Sequence, residues 1–199
     1  MMLIEETTVP DEALPVDQFK AHLRQGTGFG EDTLQNAVLK GFLRAAIAAI
    51  EARTGKVLIT RTFTWRLAAW RDRSGQGLPV APVGSILQFT LLTASETATD
   101  IPVSQFRLEQ DFQRPRLRPV GSALPVIPTG GAVQIRFSAG FATAWDSLPA
   151  DLAQAVLLLA AHYYEYRNET ALSDGCMPFG VTSLVQRYRP MRIAPGYGT

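Results

Sequence analysis

IEARTGKVLITRTFTWRL, residues 50–67, holds the point at which the chain changes its repeat. Upstream, Leu34, Val38, Leu39, Phe42, Ile47 and Ile50 recur at the spacing of one helix face. Asp32 with Gln35 three residues later gives a start resembling a capping box, and Gly55 stands just past Arg53, where helices commonly stop. The pattern predicts a helix over residues 32–53, roughly 35 Å long at ~1.5 Å per residue. Downstream, Ile59, Phe63, Trp65 and Leu67 alternate with Thr60, Thr62, Thr64 and Arg66, the two-residue period of a strand rich in β-branched and aromatic side chains.

Further strands are predicted at residues 86–92, 103–108 and 133–137, where Val133, Ile135 and Phe137 alternate with Gln134 and Arg136. The connections at 75–82, 114–119 and 125–131 are rich in proline and glycine, and no crossover helix separates the strands. That pattern reads as an antiparallel sheet and argues against a doubly wound nucleotide fold. Helical spacing returns at residues 149–167, through Leu152, Val156, Leu159, Tyr163 and Tyr166. Ser147 can cap this helix, Pro149 suits its first turn, and Asp151 favours the positive end of its dipole. Leu157, Leu158 and Ala160 make it apolar nearly all round, as expected of an enclosed helix. A shorter helix is predicted at 17–24, with Phe19, Leu23 and His22 on its buried side, and another restarts after Pro178 and Gly180.

The reading is therefore α+β. A small α-helical bundle, with long helices at about 32–53 and 149–167, carries an inserted antiparallel β-sheet subdomain at 56–142. Residues 15–55 and 143–189 form the helical core, residues 1–14 an N-terminal arm and residues 190–199 a C-terminal tail, and both termini are expected to order on assembly.

At 199 residues and 46% apolar content the chain can bury a sizeable core. A net charge of +1 argues against a broad nucleic-acid grip, which needs a marked basic excess. The single cysteine, Cys176, excludes an internal disulfide and suits a reducing compartment. The first fifteen residues carry acids where a signal peptide needs bases, and no apolar run reaches the length of a membrane span. A soluble protein made in the cytoplasm is expected.

Little in the sequence points to chemistry. The loop Gly26-Thr27-Gly28-Phe29-Gly30 precedes a helix but lacks a preceding strand and a P-loop lysine, and Glu31 and Asp32 would repel phosphate, so it reads as a structural turn. His162 and Glu165 share a helix face, yet His22 is the only other histidine and no cysteine pair completes a ligand set. His162 therefore reads as an imidazole hydrogen-bonded among tyrosines. Cys176 has no histidine base nearby in sequence, and no G-x-S-x-G elbow is present. Tyr163, Tyr164 and Tyr166 wrap around their helix and suit packing better than base stacking. Arg61, Arg66, Arg71 and Arg73 read as a solvated face or as intersubunit ion pairs. No catalytic, cofactor-binding or metal-binding residue is assigned. From Gly175 to the end there is no acid, and Arg187, Arg189 and Arg192 bring +3.

Four blocks in order carry a family resemblance: KAHLR at 20–24, IEARTGKVLITRTFTW at 50–65, VQIRFSAGF at 133–141, and LLLAAHYYEYRNE at 157–169 followed by PFGV at 178–181 and an arginine-rich end. Together they resemble the head–tail connector (adaptor) family of long-tailed bacteriophages and gene transfer agents, over most of residues 15–189. The chain departs from that pattern in its acidic N-terminal arm and in Pro15, where a Ser or Thr cap is expected. The resemblance implies a structural protein without enzymatic activity, located in the neck of a phage or phage-like particle and assembled in the bacterial cytoplasm. Its implied partners are its own copies in a dodecameric ring, the portal protein on one side and a stopper (head-completion) protein on the other. DNA would pass the lumen as non-specific cargo, and no membrane is involved. Phe179, Arg187, Tyr188, Arg189 and Arg192 are the candidates for contact with the portal. The alternative reading is a small ligand-binding or enzymatic α+β domain that uses the sheet as a pocket wall.

Overall fold

A computed structural model describes residues 2–24, 33–167 and 177–190. Asp32, the glycine loop at 26–30, Cys176, Arg192 and the tail beyond Pro190 lie outside the described residues, as does the side chain of Leu34.

The fold is α+β, with helices and antiparallel sheets. The helices are α1 (Val16–His22), α2 (Thr33–Thr54), α3 (Ala150–Glu165) and α4 (Phe179–Val185). The strands are β1 (Met2–Glu5), β2 (Arg61–Leu67), β3 (Gln76–Gly77), β4 (Val83–Leu92), β5 (Ala98–Asp100), β6 (Phe106–Glu109), β7 (Arg116–Pro119) and β8 (Ala132–Ala139). They form a five-stranded sheet in the order β1-β2-β8-β4-β5 and a three-stranded sheet in the order β3-β7-β6, all neighbours antiparallel.

Two apolar cores result. In the first, α2 and α3 pack on each other, with α1 against both and α4 against α3. Phe19, Leu39, Leu43, Ile47, Ile50, Leu152, Val156 and Leu159 are buried there. Gly55 ends α2 in the left-handed region at φ +66°, its N–H bonded to Glu51 O at 2.8 Å, a conformation that costs a glycine little. In the second core, Phe63, Trp65, Phe89, Ile135 and Phe137 of the large sheet meet Phe106 and Leu117 of the small one. The Phe89 and Phe106 rings stack at 4.1 Å across the two sheets.

Several expectations need correction. Ile59 does not join the sheet core: it bridges Ala142 and is buried with Leu58 among the helices, so the strand proper begins at Arg61. Residues 103–105 are a 3-10 turn, and β6 begins at Phe106. The proline- and glycine-rich connections hold β3 and β7, strands of two and four residues made by pairing with each other. Ser147 lies in a 3-10 turn at Trp145–Ser147, and Pro149 takes the cap position of α3. Val38 faces solvent, and Leu43, which the predicted face omitted, is buried with Leu39, Ile47 and Ile50.

The N-terminal segment is part of this structure. β1 pairs with β2, Met2 opposite Arg66 and Glu5 opposite Phe63. Val9, Ala13 and Leu14 are buried in the helical core, so residues 2–14 order within the chain, contrary to the expectation that they order only on assembly. Pro15 begins α1 without a side-chain cap, and its carbonyl accepts the Phe19 N–H at 2.9 Å.

Candidate assembly interface

The C-terminal segment starts at Pro178, whose fixed φ suits the position before α4. Val181 and Val185 turn into the helical core, which leaves Phe179, the first residue of α4, 87% exposed. A 3-10 turn, Gln186–Tyr188, then carries Tyr188 inward to 2% exposure. Its hydroxyl donates to Asp151 Oδ1 at 2.7 Å, and Arg187 reaches Asp151 Oδ2 at 2.7 Å and the Tyr188 hydroxyl at 2.5 Å. Burial, aided by the Asp151 carboxylate, pushes the Tyr188 phenol above its ordinary range. The Tyr188 hydroxyl and then Asp151 raise the Arg187 guanidinium further.

Tyr188 also closes an aromatic cluster. Its ring lies 5.8 Å from Phe112, in the β6–β7 turn, and 5.7 Å from Phe141, which stands edge-on to it. Lys56 Nζ donates to Phe112 O at 2.7 Å and to Gln113 Oε1 at 2.9 Å, and sits 5.1 Å from the centre of the Phe112 ring. Desolvation lowers the Lys56 ammonium. The cluster thus joins the turn of the small sheet to the C-terminal segment. A cavity of about 390 Å³ opens between Phe112, Phe141, Pro149, Arg187 and Tyr188.

Of the candidates for portal contact, Tyr188 is the buried one, its ring and hydroxyl engaged within the chain. Phe179, Arg187 and Arg189 face solvent, Arg187 with 68% of its side chain exposed, and Arg192 lies outside the described residues. Sequence reasoning missed Lys56, Phe112 and Asp151 as supports of this segment, because they are separated from Tyr188 by 37 to 132 positions and share no motif with it.

A second concavity, of about 290 Å³, lies among His22, Leu158, Ala161, His162, Glu165, Pro178, Gly180 and Val181. The His162 ring lies 4.7 Å from that of Tyr166, but its buried Nε2 has no hydrogen-bond partner, which corrects the hydrogen-bonded reading. Tyr164 packs edge-on against Phe42 at 5.8 Å. Among the described residues no group of three or more His, Cys, Asp or Glu side chains could hold a metal, and no helix is long and apolar enough to cross a membrane. Arg61 and Arg66, read as a solvated face or intersubunit pairs, are paired within the chain: Arg61 with Glu5 and Glu51, Arg66 with Glu96.

What the segment offers is a surface: Phe179, Arg187 and Arg189 are exposed on a stretch that Tyr188 ties to α3 and to the turn of the small sheet. No family model matches the sequence, and no curated protein matches it. Solved structures do. The chain is 50% identical to a chain in the neck of an empty gene transfer agent (GTA) particle, computed with C6 symmetry, over 100% of both chains at a TM-score of 0.89. It is 47% identical to one in the neck of a native GTA particle, computed with C12 symmetry, again over 100% of both, at 0.84. It is 50% identical to one in the virion of a native GTA particle, over 98% of this chain and 99% of that one, at 0.86. The chain belongs to the head–tail connector (adaptor) family of gene transfer agents and phages, and is a structural component of the neck of such a particle.

Proposed function

We propose that the protein forms the adaptor ring, a dodecamer between the portal and a stopper protein, whose lumen lets DNA pass. The observation that carries this is the likeness, end to end and at 47–50% identity, to chains from GTA necks, one of them computed with C12 symmetry. Copies in a ring meet through two different faces, and a near-neutral chain suits a conduit that must not hold its cargo. In this reading the helical unit at 15–55 and 143–189 is the connector core, and the β unit at 56–142 is an inserted module. The role is structural and requires no catalytic residue.

Phe179, Arg187 and Arg189 form the portal-facing set, with Arg192 following them in sequence: one aromatic anchor with arginines at its rim. Arg189→Glu leaves the Asp151–Arg187–Tyr188 contacts intact and tests docking without disturbing them. Together with Phe179→Ala it should lower gene-transfer titre and leave filled heads without tails in electron micrographs, while the purified variant melts like the parent. Normal tailed particles from the double variant would remove this segment from the portal contact.

A further inference from the structure

The small sheet concentrates positive charge on one face. By register, Arg107 stands opposite Arg118 and Glu109 opposite Arg116, and Val120 follows beside Gln105, its N–H bonded to Gln105 O at 2.8 Å. Alternation puts Gln105, Arg107, Glu109, Arg116, Arg118 and Val120 on the side of the hairpin away from buried Phe106 and Leu117. Across residues 71–77 and 103–120 there are six arginines, no lysine and three carboxylates, a surplus of +3 in a chain whose total is +1. Arg118 turns to Glu109 at 2.7 Å and Arg116 approaches Asp72 at 3.8 Å, while Arg107 makes no hydrogen bond or ion pair among the described residues and only its charge reaches Glu109. Two arginines opposite each other on a hairpin repel, a cost that an incoming anion removes. Val120, 66% exposed on the same face, has nothing to offer a phosphate backbone. Arginine and exposed aliphatics without lysine are the makeup of a protein interface.

The helical unit carries a counterpart. Asp17 and Asp146 are exposed carboxylates that make no ion pair among the described residues. Gln18, the chain neighbour of Asp17 in α1, links that helix to Asp146: its amide donates to Asp146 Oδ1 at 3.4 Å, and its Oε1 accepts Trp145 Nε1–H at 2.9 Å. The basic residue of α1, Lys20, comes one turn further on.

We propose that the arginine face of the β6–β7 hairpin of one copy docks on the Asp17 and Asp146 side of the helical unit of the next copy. The contact is heterologous, since the two faces are different surfaces of one chain, and such contacts close into rings. It deepens the ring reading above and rests on it. Residues 56–142 sum to +5 and the rest of the chain to −4, a separation that favours neighbouring copies in one orientation.

The test is a charge swap in particle-producing cells, with copies of the chain per purified particle and gene-transfer titre as readouts. Arg107→Glu alone and Asp17→Arg alone should each lower both by about tenfold, and the combined variant should recover to within about threefold of the parent. Folding is checked separately by thermal melting. Arg107→Glu places a carboxylate opposite Arg118 and should melt no lower than the parent. Full incorporation of both single variants would overturn the contact, and so would a combined variant as defective as either. Binding of a labelled DNA duplex by the parent that Arg107→Glu abolishes would assign the face to DNA and also overturn it. Parental particles without this chain at the neck would instead sink the ring reading.

Discussion

Arg61 sits where the N-terminal segment, α2 and β2 meet. Its side chain is 7% exposed, and the guanidinium holds Glu5 at 2.6 Å and Glu51 at 2.5 Å. Burial pushes the Glu51 carboxyl above the usual carboxylate range, although Arg61 and the Leu58 N–H pull the other way. Arg61→Ala would leave that carboxylate buried without its cation and should cost about 3–5 kcal/mol in denaturant unfolding. Adding Glu51→Gln should recover part of the loss. Two carboxyls of the N-terminal segment shift the other way. Hydrogen bonds from Thr64 and then Arg136 lower Glu6, and those from Lys40 and then Arg44 lower Asp11. A carboxyl depressed in the fold stabilises it above the unfolded value, near about 4, and that contribution fades as pH falls through the depressed folded value. Proteolytic cutting within residues 2–14 should therefore be slow at neutral pH and rise below pH ~4 before the cores melt. Cutting that is independent of pH down to global unfolding would show that these pairs do not hold the segment.

At the scale of elements, long repeats were legible and short ones were not. α2, α3, β2 and β8 follow from periodicity because each carries at least three turns or a clear alternation of its own. β1, β3, β5 and β7 have two to four residues and exist through their partners, so no local pattern marks them. The same limit hid the fate of Tyr188. Among arginines it reads as an exposed anchor, but Asp151 and Phe112, distant in sequence, draw it inside. Tyr188→Phe should cost about 1–2 kcal/mol by leaving Asp151 short of a donor, and Tyr188→Ala about 3–5 kcal/mol. Equal melting of all three proteins would contradict the burial. Gly140, after β8, was not foreseen as a constraint either. It lies at φ +151°, and a Cβ there would come within 2.3 Å of Thr60 Cα. Gly140→Ala should destabilise by roughly 2–3 kcal/mol, because backbone must move where the two units join.

For the molecule as a whole, the class and the family were readable from four sequence blocks, while the surfaces that serve assembly needed the fold. A net charge of +1 conceals the arginine face of the small sheet, which appears only when β6 and β7 are set in register. The N-terminal segment likewise looks detached in sequence yet joins both units, pairing with β2 and placing Val9 and Leu14 in the helical core. As an adaptor ring, this chain would be a necessary part of the neck. Deleting its gene from a particle-producing strain and examining purified particles by electron microscopy tests that most directly. Filled heads and separate tails, with tailed particles and gene transfer restored by the parental gene supplied in trans, are the predicted result. Normal tailed particles with undiminished gene transfer in the deletion strain would contradict it.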